Sequence, residues 1–185
     1  MSAISHAKIL IMATDGFEQS ELTVPRDRLR DDRATVHVAS PDGEAIKGWD
    51  KTDWGDTVKA DLAIADVDVA SYDALVLPGG QINPDKLRMN SDALDVIRGF
   101  HKAGKPVAAI CHAPWLLIEA GLASGQRMTS FPSIRTDLRN SGADVVDQSV
   151  VVDGGIITSR NPDDLADYVG AIRDAIESRA MSAAA

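Results

Sequence analysis

The chain has 185 residues, with 19 Lys+Arg against 28 Asp+Glu and a net charge of −9. That length suits one domain, which can bury roughly 70% of its unfolded surface without a staple; 44% hydrophobic and 25% charged residues are a globular composition. An acidic chain without a basic run excludes nucleic acid and anionic membrane surfaces as partners. The lone Cys111 excludes an intramolecular disulfide and a Cys-rich metal site.

Taken in chain order, short β-branched runs alternate with helical patterns. The first residues, MSAISHAKILIMATDG, do not read as a signal peptide, because the apolar run Ile9 to Ala13 is short and an acid follows it. No stretch approaches the ~18 apolar residues of a membrane span, so the cytoplasm is the expected address. AKILIMA (7–13) predicts a buried strand. EQSELTVPRDRLRDD (18–32) predicts a helix, with Pro25 tolerated near its first turns or as a kink. ATVHVAS (34–40) predicts a second strand. Segment 41–72 breaks the rhythm with Gly43, Gly48, Gly55, Trp49 and Trp54, and is expected to be a small hairpin-like insertion.

ALVLPGG (74–80) predicts an apolar strand stopped by Pro-Gly-Gly. SDALDVIRGFHKAG (91–104) predicts a helix, with Gly104 suited to its C′ position. PVAAI (106–110) is a strand again, HAPWLLIEAGL (112–122) and PSIRTDLRNSG (132–142) are helical, and 145–159 holds two short strands around a turn. PDDLADYVGAIRDAIESRA (162–180) predicts a C-terminal helix with Asn161 as N-cap and Pro162 at N1, followed by a frayed tail over 181–185. This alternation predicts an α/β sandwich with a mostly parallel sheet, formed by residues 1–185 as one domain.

The strongest chemical signal is VAAICHAPWLLIEAG (107–121), where an apolar strand runs into Cys111 and a helical pattern follows without a linker. Small residues, Ala109 and Ala113, flank the Cys two positions away on each side, as a tight nucleophile elbow requires. A thiol at a helix N-terminus is expected to have a lowered pKa. The competing role is a buried Cys serving as a small hydrophobe. His112 is a candidate proton carrier or a helix-capping residue. His6, His37 and His101 are weaker, His37 lying between valines within a strand.

Gly80, at the carboxyl end of a predicted strand, offers a backbone N–H as oxyanion donor, or simply completes a turn. Glu18 and Glu21 lie three apart on the expected helix and follow the first strand. One of them pointing at Cys111 assists only if it is protonated and donates to a thiolate; a charged carboxylate would raise the thiol pKa. Otherwise both are acids stabilised by the helix dipole.

The blocks DGFEQSEL, DALVLPGG, KPVAAICHAPWLLIEAG, TSFPSIRTDLRNSGA and SRNPDDL resemble the ThiJ/PfpI superfamily over about residues 7–178, most nearly its PfpI-like intracellular protease and stress-protein branch. The elbow motif is shared with glutamine amidotransferase-like domains; the full set of blocks is more specific. The resemblance implies a three-layer, flavodoxin-like α/β/α sandwich and a homodimer or larger assembly. It also implies Cys111 as nucleophile, Glu18 hydrogen-bonded to it, and the N–H groups of Gly80 and His112 as the oxyanion site. In PfpI-type enzymes an acid from a neighbouring subunit completes a triad on the His. The matching residue here is Asp85, shorter than the usual Glu and in a loop one residue longer. Trp115 departs from the His-Gly-Pro pattern and is expected to narrow the pocket against extended peptides.

Members of the superfamily include peptidases, cofactor-free glyoxalases, deglycases and redox-responsive chaperones. The expected activity is therefore that of a cysteine hydrolase without cofactor or metal, acting on glyoxal or methylglyoxal or their adducts in stress protection. An intracellular peptidase, and a redox sensor or chaperone that uses Cys111 oxidation, are the alternatives.

Overall fold

β1 (Lys8–Met12) leads through β2 (Phe17–Glu18) directly into α1 (Gln19–Asp31) in the computed structural model, which describes residues 3–183. β3 (Thr35–Ser40) follows, then β4 (Ile46–Asp50), β5 (Asp53–Val58) and the short β6 (Leu62–Ala63). β7 (Ala74–Leu77), α2 (Ile82–Leu87), α3 (Ser91–Lys102), β8 (Val107–Ile110) and α4 (Pro114–Glu119) form the middle of the chain. The last part comprises β9 (Arg127–Met128), α5 (Arg135–Asn140), β10 (Asp144–Val145), β11 (Val150–Asp153), β12 (Ile156–Ser159) and α6 (Leu165–Ala183).

The main sheet has the order β11-β12-β8-β7-β1-β3-β6 and is parallel except for the edge pair β11–β12. Successive side chains of a strand point to opposite faces. Ile9 and Ile11, Val76, and Ala108 and Ile110 pack with Leu22, Leu29, Val169 and Ile172 of α1 and α6. Leu10 and Met12, Leu75 and Leu77, and Val107 and Ala109 pack with Ile97 and Phe100 of α3, Leu116 and Leu117 of α4, and Leu138 of α5. Helices on both faces make the three-layer α/β/α sandwich, and explain why the central strands are unbroken apolar runs rather than alternating ones.

Segment 41–72 divides into two parts. β4 and β5 form an antiparallel hairpin that joins β2 in a separate three-stranded sheet, whereas β6 returns to the edge of the main sheet beside β3. Asn90 caps α3 by accepting the Ala93 N–H at 3.0 Å, a local reason for the helix to begin at Ser91. Asn161 accepts the Asp163 N–H at 2.9 Å, but Pro162 opens a 3-10 turn and α6 proper starts at Leu165. α6 continues through Ala183 where a frayed tail over 181–185 was expected; residues 184 and 185 lie outside the described part. Among the described residues, no helix is long and apolar enough to cross a membrane.

The predicted helix over 18–32 begins one residue later, and that single position matters for the site. Glu18 has extended backbone angles (φ −61°, ψ 117°) and pairs with Trp49 as the last residue of β2. It therefore does not share a helical face with Glu21. Pro25 is buried well inside α1, removing the N–H that would otherwise bond the Glu21 carbonyl.

Candidate active site

Cys111 follows β8 with φ +64°, the left-handed region that side chains other than glycine rarely adopt. Such a conformation costs about 1–3 kcal/mol and persists only where its surroundings fix it. Here the Cys111 N–H donates to the Ser159 carbonyl at 3.1 Å, the Cys111 carbonyl accepts the Phe131 N–H at 2.9 Å, and the Ala113 N–H closes the turn on the Ile110 carbonyl at 3.0 Å. Ala109 and Ala113 are fully buried beside it. The elbow aims the thiol into a cavity of about 490 Å³ lined in part by Glu18, Glu21, Trp49, Gly80 and Phe131.

Two backbone donors, the N–H groups of Gly80 and His112, face the sulfur. Gly80 has φ +79°, and a Cβ there would lie 2.5 Å from the Gly16 carbonyl oxygen. A Cβ on Gly79 would lie 2.6 Å from both the Cys111 Cβ and a Glu21 carboxyl oxygen. The Pro-Gly-Gly turn is thus required by the close approach of three chain segments.

The carboxyl group against the thiol is that of Glu21, not the Glu18 implied by the family resemblance. Because Glu18 is still in extended chain while Glu21 is in the first turn of α1, it is the Glu21 carboxyl that reaches the thiol, and Glu18 stays at the cavity wall. Glu21 is fully buried, and its Oε2 accepts the Gly79 N–H at 2.9 Å. Its Oε1 is buried without a fully formed hydrogen bond, and the carboxyl meets the Cys111 thiol. Burial, then the neighbouring Glu18 charge, push the Glu21 pKa up to about 8. Glu18 is half-buried at the cavity wall; burial raises its pKa, and Ser20 Oγ donates to it at 3.1 Å.

The thiol pKa is raised rather than lowered. Burial is the main cause and a charged Glu21 the second, against the lowering effect of the Gly80 and His112 N–H groups. The expected help from a helix N-terminus is weak, because α4 starts three residues later and spans only six. Two groups this close titrate as a pair, each resisting the other's charge.

His112 is buried, with Nδ1 3.1 Å from Cys111 Sγ and Nε2 3.1 Å from Ser133 Oγ. Its ring stacks on Phe131 at 4.7 Å and meets the Trp115 edge at 5.4 Å. Burial lowers its pKa, so the ring is neutral at pH 7. Cys111 and His112 therefore touch, although adjacent side chains in a turn commonly diverge.

Trp115 and Asp85 both lie outside the Cys111 cavity of this chain, and Asp85 was expected to reach the His112 of a neighbouring copy rather than its own. Trp115 does not flank the thiol: its indole N–H donates to Asp137 at 2.8 Å, Arg88 lies 4.9 Å over the ring, and it lines an adjoining depression with Gln81, Ile82 and Asp85. Asp85 is exposed in the first turn of α2, with its carboxylate paired to Arg88 at 2.7 Å. Within the chain it is not a partner of His112. His37 is structural, with Nδ1 3.0 Å from the Tyr72 hydroxyl.

Sequence reasoning missed Trp49, Phe131 and Ser133, which come from the hairpin and from the segment after β9. Glu21 did carry a signal. It lies on the stripe Glu21, Leu22, Pro25, Leu29 that α1 buries, and an acid on an apolar stripe needs a partner. No group of three His, Cys, Asp or Glu side chains among the described residues is arranged to hold a metal.

Residues 7–175 match the model of the DJ-1/PfpI family. The chain belongs to the DJ-1/PfpI family. It is 44% identical to a deglycase of Thermococcus kodakarensis over 85% of this chain and 92% of that protein. It is 42% identical to protein/nucleic acid deglycase 2 of Escherichia coli, over 85% and 91% of the two chains. Among solved structures, Drosophila melanogaster DJ-1beta superposes with a TM-score of 0.85 at 33% identity, covering 93% of this chain and 91% of that one. As a DJ-1/PfpI member the chain has the sandwich expected of the family, with Cys111 at the elbow between β8 and α4.

Proposed function

We propose that this protein is a cofactor-independent cysteine hydrolase acting on glyoxal- or methylglyoxal-derived adducts of amines and thiols, in stress protection. The observation that carries this reading is the left-handed Cys111 with two backbone N–H groups on its sulfur and a neutral His112 at 3.1 Å. The thiol attacks the carbinol carbon of the adduct, forming a C–S bond as the bond to the amine or thiol breaks; the proton that His112 Nδ1 takes from Cys111 goes to that leaving group. Transfer of the remaining carbinol C–H proton to the adjacent carbonyl carbon runs through an enediolate, whose negative oxygen the Gly80 and His112 N–H groups receive, and leaves a thioester on Cys111. Water then hydrolyses the thioester, releasing a 2-hydroxy acid and the free Cys111 thiol. Glu21, carrying its proton, adds no negative charge beside the developing oxyanion. The deglycase relatives support this substrate class. In this reading the protein works in the cytoplasm as a homo-oligomer.

A peptidase reading draws support from a 43% identical relative in Bacillus subtilis described as a putative cysteine protease. A panel of methylglyoxal, a methylglyoxal-modified amino acid or thiol, and a peptide, assayed with wild type and Cys111→Ser, separates the two. At least roughly tenfold higher kcat/KM on the small substrates, about 1.4 kcal/mol in barrier, is expected, with loss in Cys111→Ser. Robust peptide cleavage with no turnover of methylglyoxal or its adducts would reverse the assignment. Thiol oxidation that alters chaperone activity, with no turnover of any substrate, would favour the redox reading.

A further inference from the structure

The His112 ring has two nitrogens and two direct partners, and they lie on opposite sides of it. Nδ1 is 3.1 Å from the Cys111 sulfur and Nε2 is 3.1 Å from the Ser133 hydroxyl. Ser133 is exposed, next to Phe131, whose ring stacks on the imidazole and whose N–H is tied to the Cys111 carbonyl. One short segment, 131–133, thus holds the ring by its face and by its outer nitrogen. We propose that Ser133 is a positioning residue that accepts the Nε2–H of His112, leaving the Nδ1 lone pair aimed at the thiol as general base.

A neutral imidazole carries a single N–H, so the acceptor on one side decides what the other side can do. The Cys111 sulfur already faces the N–H groups of Gly80 and His112. Its S–H needs an acceptor, and an unprotonated Nδ1 supplies one. The alternative acceptor, the Glu21 carboxyl, holds its own proton at neutral pH because burial raises its pKa. The orientation is then Cys111 S–H to Nδ1, and Nε2–H to Ser133 Oγ. When the sulfur attacks, its proton passes to Nδ1, and the imidazolium keeps its Nε2–H on the serine oxygen. A hydroxyl orients this cation without a compensating negative charge.

Charged groups on the surrounding elements are Glu21 of α1, Glu18 at the end of β2, Lys51 in the hairpin turn, and Arg88 and Asp137 around Trp115. Among the described residues none of them is a hydrogen-bond partner of the ring.

The proposal rests on Cys111 being the reactive thiol, but its test needs no substrate. Histidine-specific ¹⁵N NMR should show the Nε2–H tautomer of His112 in the wild type. Ser133→Ala should give a mixture of tautomers and slow iodoacetamide alkylation near pH 7 about tenfold, while leaving the rate at high pH unchanged, where the thiol ionises without a base. Ser133→Thr should restore both. Ser133 is exposed, so thermal unfolding of all three proteins should coincide. A wild-type Nδ1–H tautomer, or a Ser133→Ala protein with unchanged tautomer and alkylation profile, would overturn the proposal. If these results hold but the wild type turns over none of the panel substrates, the hydrolase reading fails and the role of Ser133 stands.

Discussion

Replacing Glu21 by Gln should change how stability depends on pH more than it changes stability at any one acidic pH. Glu21 is fully buried, and its pKa rises from the ordinary 4.5 to about 8. Below pH 4.5 the carboxyl is protonated in both the folded and the unfolded chain. Between those two values the folded chain binds the extra proton, so stability falls as pH rises. The difference corresponds to about 5 kcal/mol at 1.36 kcal/mol per pH unit, fully lost above pH 8.

Gln keeps an acceptor for the Gly79 N–H and cannot ionise. Wild type and Glu21→Gln should therefore have similar stability near pH 4, and the variant should gain on the wild type up to pH 9. For a chain of this size the gain in Tm is about 10–20 °C, taking about 2–4 °C per kcal/mol. Urea or thermal unfolding from pH 4 to 9 measures it. A constant difference between the two proteins across that range would refute the reasoning. It would mean that the Cys111–Glu21 pair has already released one proton, as a thiolate or as an ionised carboxylate.

Gly80→Ala should cost at least about 2 kcal/mol, since φ +79° and a Cβ 2.5 Å from the Gly16 carbonyl oxygen combine strain with a clash; an unchanged Tm and kcat would dismiss the tight turn as a requirement. Trp115→Gly should leave kcat/KM for small aldehyde adducts within about threefold, or under about 1 kcal/mol in barrier, because the indole lies outside the Cys111 cavity; a large gain in peptide hydrolysis would return Trp115 to the role of a gate. Sedimentation at micromolar concentration should show an oligomer, and a 19.7 kDa species alone would refute it. Asp85→Ala should leave turnover intact, as Arg88 already holds the carboxylate; a collapse in kcat with the oligomer unchanged would bring Asp85 back as an acid supplied by a neighbouring copy.

The layers and the elbow are legible in the chain itself. Unbroken apolar runs such as Ile9–Met12 and Val107–Ile110 require cover on both faces, and the intervening helical patterns supply it. Local sterics are enough to mark Cys111, since Ala109, Ala113 and the abrupt change from strand to helix all lie within a few residues. Asn161 likewise marks, through a side chain that acts two residues away, the turn that leads into α6, although the helix proper starts at Leu165. Which groups surround the thiol depends instead on packing between segments far apart in the chain. Pairing of Glu18 with Trp49 holds that residue extended and hands the inward position to Glu21, a consequence of a hairpin some 30 residues away. The raised thiol pKa has the same origin: the sequence shows a helix beginning near Cys111, whereas burial and a neighbouring carboxyl arise only when distant segments pack together. Ser133 and Phe131 reach His112 through the fold as well, and no local pattern in the chain records that contact.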